Sequence, residues 1–227
     1  MESHELLAAF RCDVVDDVEP YLWSDGEVYH YINDAYFMFV RLTGGIPDGT
    51  SNVTTLTATT GEATTPIDPS IMRIRTARNT TAQNRPMKII NVQDIDDLTT
   101  EDYGRWLSIN QIDEPGRPEY MVIGEEEDYV RWVKVPDADY TIQLVVERLP
   151  LISIKGGKQR FTGVREEHHY HLLKWVRHLA YRKQDADTFN LIKSDQERND
   201  FFEYCAMAMN EKATRKHKVR VTSYGGL

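Results

Sequence analysis

Positive charge is in short supply: 27 lysines and arginines stand against 36 aspartates and glutamates, a formal net charge of −9. A general nucleic-acid binder carries the opposite footprint, so that class is disfavoured, whereas a protein that lines a passage for DNA without gripping it remains open. Cysteine is scarce too. Cys12 and Cys205 are far apart in sequence and fall inside expected helices, and they read as two small buried thiols, not a disulfide. No apolar run approaches the roughly 18 residues needed to span a bilayer, and the opening MESHELLAAF lacks the basic flank and long apolar segment of a signal peptide. The expectation is a globular chain made and assembled in a cytoplasm, with no membrane partner.

Reactive constellations are missing as well. Serine and threonine are plentiful, but none sits in a GxSxG elbow, and neither cysteine has the local motif of a nucleophile. Gly156-Gly157-Lys158 lacks the spaced glycine before it and the Ser or Thr after the lysine that a phosphate loop requires. The acidic run Glu125-Glu126-Glu127-Asp128 is consecutive where calcium loops alternate their ligands, so it reads as a solvated turn. His168, His169, His171 and His178 form the densest histidine cluster, yet zinc wants three or four converging ligands and no cysteine lies near; the polar outer face of a helix is the expectation. No catalytic residue, metal or cofactor is assigned, and the chain reads as a structural or interaction protein, not an enzyme. Two alternatives stay open: a metal-binding protein using His168, His171 and His178, and a single-stranded nucleic-acid module stacking bases on Tyr129, Trp132 and Tyr140.

What the chain has in abundance is packing residues and helix punctuation. Ser24 followed three residues later by Glu27 is a capping box. Val28, Tyr31, Ile32, Ala35, Tyr36, Phe39 and Leu42 then recur at helical spacing before Gly44-Gly45. An earlier helix is expected over residues 3–18, with Leu6, Leu7, Phe10, Val14 and Val18 on one face and Glu19-Pro20 as the stop. After Gly45 the composition turns to Thr, Gly, Asn and Asp, and strands are expected near 70–81, 88–92, 119–123, 129–135 and 140–149, with a short helix over 98–110. The last strand is the clearest, because Ile142, Leu144 and Val146 alternate with Gln143, Val145 and Glu147. Helical periodicity returns near Val164 through Tyr170, Leu173, Val176, Leu179 and Ala180. Asp185 or Asp187 should cap a long final helix with Phe189, Ile192, Phe202, Cys205, Ala206 and Met209 as its apolar positions. The class is therefore α+β: a discontinuous helical bundle (1–45 and 160–216), an inserted, mainly antiparallel β domain (46–159) and a basic, extended C-terminal tail (217–227).

Several segments, in this order, carry a resemblance: DDVEPYLWSDGEVYHYINDA at 16–35, DPSIMRIRTAR at 68–78, GRPEY at 116–120, ERLP at 147–150 and HHYHLLKWVRHLAYRKQDADT at 168–188. Together they resemble the head-to-tail adaptor (connector, head completion) proteins of tailed bacteriophages, a likeness that covers nearly the whole chain and extends to the tail tubular protein A group. The Thr-rich stretch 51–65 departs from it.

The resemblance implies a virion protein of the head-to-tail neck, forming a homo-oligomeric ring, usually twelve-fold, between the portal protein and the tail or nozzle protein. Double-stranded DNA would pass through the ring without sequence-specific binding, and a subunit charge of −9 would keep its phosphates from sticking. The C-terminal tail would dock on the portal, with Arg215, Lys216, Lys218 and Arg220 meeting acidic grooves and Val219, Val221, Tyr224 and Leu227 as apolar anchors. The aromatic surface of the capped helix is wider than one intrachain partner needs, so Tyr29 and Phe37 are expected to pack on a neighbouring subunit.

Overall fold

The computed structural model describes residues 1–94, 113–184 and 188–216. The helix expected over 98–110 lies outside them, as do the expected caps Asp185 and Asp187 and the tail residues Lys218, Val219, Arg220, Val221, Tyr224 and Leu227. The chain is α+β and divides into two units, one made of Met1–Gly45 with Pro150–Leu227 and the other of Ile46–Leu149. No described helix is long and apolar enough to cross a membrane.

In the first unit, α1 (Ser3–Val14) turns Leu6 and Phe10 inward. The apolar period of the sequence runs on to Val18, but the helix does not. Val15 adopts a left-handed conformation (φ 58°), and Asp16 is buried, where its carboxylate accepts hydrogen bonds from Arg11 Nη1 at 2.9 Å and the Leu22 N–H at 2.8 Å. A buried carboxylate needs such partners, and the turn supplies them where a continued helix would not; Val18 is left exposed. Cys12, expected inside, is exposed, because it lies about 200° around the helix from Phe10.

Helix α2 (Asp25–Leu42) starts as its sequence dictates. Ser24 is the N-cap, and its N–H donates to Glu27 Oε2 at 2.9 Å while the Glu27 N–H donates back to Ser24 Oγ at 3.3 Å. Hydrogen bonds from Lys183 and the Ser24 N–H hold the Glu27 carboxyl below its usual range. Val28, Ile32, Ala35, Tyr36, Phe39 and Val40 are buried, each such large side chain contributing about 1.5–3 kcal/mol. Trp23, just before the helix, packs edge-on against Phe10 at 5.6 Å and donates to the Ala180 carbonyl at 3.2 Å.

The two remaining helices differ from expectation in extent and face. Residues Glu166–His168 form a 3₁₀ turn, and α3 (Leu172–Tyr181) begins only after Tyr170, which is exposed and bonds Asp13. α4 (Leu191–Lys216) buries Ser194, Phe201, Cys205 and Ala208, whereas the expected Phe189, Ile192, Phe202, Ala206 and Met209 are exposed. The helix carries apolar residues on two adjacent flanks, and a period of 3.6 does not say which flank meets its own chain. Arg177 on α3 forks onto Glu197 of α4 at 2.8 and 2.9 Å.

The second unit is a curled mixed sheet in the order β1-β8-β4-β5-β6-β7-β3, with β2 also paired to β8. Its strands are β1 (Ile46–Asp48), β2 (Thr55–Ala58), β3 (Thr64–Pro66), β4 (Ile71–Asn79), β5 (Arg85–Asn91), β6 (Tyr120–Ile123), β7 (Tyr129–Trp132) and β8 (Tyr140–Arg148). β5 and β6 run parallel and the other described pairings are antiparallel. β8 is the centre, with Ile142, Leu144 and Val146 buried as their alternation predicts. β4 buries Ile71, Ile74 and Ala77, three apart, because two register shifts against β8 re-phase its pleat. Leu56 of β2 and Trp132 of β7 share one core although their strands are distant in the sheet order, which is what curling achieves.

Candidate interaction surfaces

His169, His171 and His178 are packed against different partners within the first unit. His178 Nδ1 lies 2.9 Å from the Ser194 carbonyl and 2.8 Å from Ser194 Oγ; His169 Nε2 lies 3.1 Å from the Val164 carbonyl; His171 stacks on Tyr204 at 3.7 Å. Desolvation lowers the pKa of all three, so they favour the neutral form. The proposed metal set His168, His171 and His178 does not form. His178 Nδ1 is engaged by Ser194 and His171 is stacked on Tyr204, and among the described residues neither belongs to a group whose ligand atoms converge.

The stacking platform fails because its three rings are not exposed together. Trp132 is fully buried in the core of the β unit, with Nε1 donating to Thr65 Oγ1 at 2.9 Å, and Tyr140 is half-buried against the same core. Of the three aromatic residues, Tyr129 alone counts among the exposed ones.

What the first unit does present is apolar surface. Val15, Val18 and Leu22 are exposed on the connection between α1 and α2, as are Phe189, Leu191 and Ile192 at the start of α4 and Phe202, Met207 and Met209 along it. These are not reacting groups but contact groups. A family model described as SU10 adaptor protein matches residues 1–222. The chain belongs to the SU10 adaptor family. Its members are phage head-to-tail adaptors, so this adaptor is a structural protein that works with portal and tail proteins in the virion neck. No curated protein matches the chain.

The residues singled out in the sequence take specific places in the adaptor. Tyr29 and Phe37 are both half-buried on α2; a Cβ added to Gly156 would lie 3.5 Å from the Tyr29 ring, and Phe37 meets Tyr36 edge-on at 6.0 Å. Arg215 and Lys216 belong to the last turn of α4, where Arg215 pairs with Glu167 at 3.3 Å and Glu211 at 3.2 Å. Sequence reasoning missed Lys212. Its ammonium bonds the carbonyls of Thr43, at 3.0 Å, and Gly45, a cation placed on the negative end of α2. Nothing local in the sequence announces that bond, since its partners lie at the other end of the chain.

Proposed function

We propose that copies of this adaptor close into a ring, twelve-fold, between the portal above and the tail or nozzle protein below, leaving a channel that double-stranded DNA crosses without sequence-specific contact. The observation that carries the proposal is the apolar surface of the helical unit, from Val15 and Val18 to Ile192, Phe202 and Met209. On this reading the neighbouring subunits and the portal cover this surface. Tyr29 and Phe37, half-buried in their own chain, take the rest of their cover from the neighbouring subunit. The tail after Lys216 docks on the portal as an extended segment, with Arg215, Lys216, Lys218 and Arg220 meeting acidic groups and Val219, Val221, Tyr224 and Leu227 filling apolar recesses. The β unit faces the tail. A charge of −9 on each subunit makes the channel repel phosphate, so DNA slides.

Electron microscopy of the adaptor mixed with its portal is the test. Rings are expected on the portal, and deletion of the residues after Lys216 is expected to abolish portal binding while the circular dichroism of the subunit is retained. An adaptor that stays monomeric with a saturating portal, or a channel wall dominated by Lys and Arg in the assembled ring, defeats the reading.

A further inference from the structure

Three side chains from two distant stretches converge beside the last turns of α4. Glu167 and His168 belong to the turn before α3 and Glu211 to α4, and one ligand atom from each lies within 4.8 Å of the other two. His168 is only 8% exposed. Its Nδ1 is anchored by the Tyr204 hydroxyl at 2.9 Å and its ring lies against Phe39, which leaves Nε2 on the side of the cluster, 3.7 Å from Glu167 Oε1 and beyond hydrogen-bond length. An imidazole with one nitrogen fixed by an outer partner and the other turned toward carboxylates is how proteins orient a metal-binding histidine. The two carboxylates also share a cation already, the guanidinium of Arg215.

We propose that Glu167, His168 Nε2 and Glu211 form a site for a first-row divalent transition metal such as Zn²⁺, which binds in place of Arg215. The donor set decides the class. Imidazole nitrogen with two carboxylates suits zinc and its neighbours, whereas magnesium and calcium prefer oxygen alone. Glu167 and Glu211 are exposed, and drawing them in to the roughly 2.0–2.2 Å bonds that zinc makes with oxygen displaces Arg215 from both and also takes Glu167 Oε1 from Arg165, which it now meets at 3.1 Å. Water fills the remaining position. A bound ion ties the turn before α3 to the end of α4 and releases Arg215 from both glutamates. The inference does not depend on the adaptor assembling into a ring.

Isothermal titration calorimetry of the untagged full chain with Zn²⁺ and with Mg²⁺ tests it. One Zn²⁺ per chain is expected. Glu211→Gln and His168→Gln should each weaken binding by about tenfold or more, Arg215→Gln should tighten it by removing the competing cation, and Mg²⁺ should bind more weakly than Zn²⁺. Because His168 is buried, His168→Gln is read only if its circular dichroism matches the parent; Glu211→Gln, on the exposed side of α4, decides otherwise. No zinc binding by the parent, unchanged affinity in Glu211→Gln, weaker binding in Arg215→Gln or equal affinity for Mg²⁺ overturns the site.

Discussion

The helical unit and the β unit differ in how much apolar surface they leave uncovered. The β unit closes its main apolar core around Ile142, Leu144, Val146 and Trp132 and a small second one around Val122 and Val133, and of the seventeen large apolar side chains exposed among the described residues only Met72, Val92, Tyr129 and Val145 are its own. The helical unit supplies all the others, although both units take charged groups inside, Arg11 and Asp16 in the helical one and Glu147 and Arg148 in the β one. A unit that buries ions and imidazoles yet leaves Ile192 at 83% and Val15 at 81% exposure has more apolar surface than its own core uses. The surplus lies on the helical unit, which is the one the proposed ring would cover.

That contrast predicts different ways to break each unit. In the β unit the largest loss should come from a cavity: Trp132→Ala removes a fully buried ring and leaves the Thr65 hydroxyl without its partner, for a cost of about 3–5 kcal/mol in urea unfolding. In the helical unit it should come from an unpaired charge. Arg11→Met leaves the buried Asp16 carboxylate without its ion partner, and about 3 kcal/mol is expected. The double variant Arg11→Met with Asp16→Asn should recover part of that loss, because both ends of the pair are then neutral. An Arg11→Met protein as stable as the parent would remove the distinction between the units.

Acid should separate them next. Desolvation depresses the folded pKa of His169, His171 and His178, so the stability they confer is complete above the unfolded value of about 6.5 and is lost as pH falls from there toward their lower folded values. In the β unit, burial pushes the Asp48 carboxyl upward, but the Ser51 hydroxyl, the Thr50 N–H and Arg148 outweigh it and hold the group well below the usual carboxylate range. Its contribution is complete above about 3.9 and fades only below that. Between about pH 6.5 and 4, the protection of amides against exchange, taken relative to the intrinsic rate at each pH, should therefore fall in α3 and α4 and hold in β8. An equal fall in both would erase the comparison.

The sequence is legible where its signals are local. Ser24, Glu27 and Gly44-Gly45 mark the limits of α2 without outside help, and strict alternation marks β8. It is illegible where a distant group decides. α1 ends early because Asp16 finds donors on Arg11 and Leu22; β4 buries Ile71, Ile74 and Ala77, three apart, because of its register against β8; and the face of α4 is set by α3. The candidate metal cluster shares this limit, since His168 stands out in its histidine run while Glu211 joins it only through the packing of α4. The two cysteines give a smaller test of the same point. Burial pushes the Cys205 thiol up to about 12 while Cys12 is exposed, so Ellman's reagent should label Cys12 promptly and Cys205 only in denaturant. Two prompt thiols would mean that the inner face of α4 opens readily.

The smallest expected change in stability is the most informative about the helical unit. Ile192→Ser and Met209→Ser replace exposed residues, so each should shift the unfolding free energy of the subunit by no more than about 0.5 kcal/mol. At a surface covered by a partner, the same side chains would each contribute about 1.5–3 kcal/mol of burial, and in a closed ring that loss recurs at every subunit boundary. The pair should therefore leave the melting curve where it was and remove rings from mixtures with portal, seen by sedimentation velocity and electron microscopy. If the melting temperature falls by several degrees and rings persist, the outer flank of α4 belongs to the unit's own core in solution, and the surplus of apolar surface that distinguishes the two units is not a docking surface.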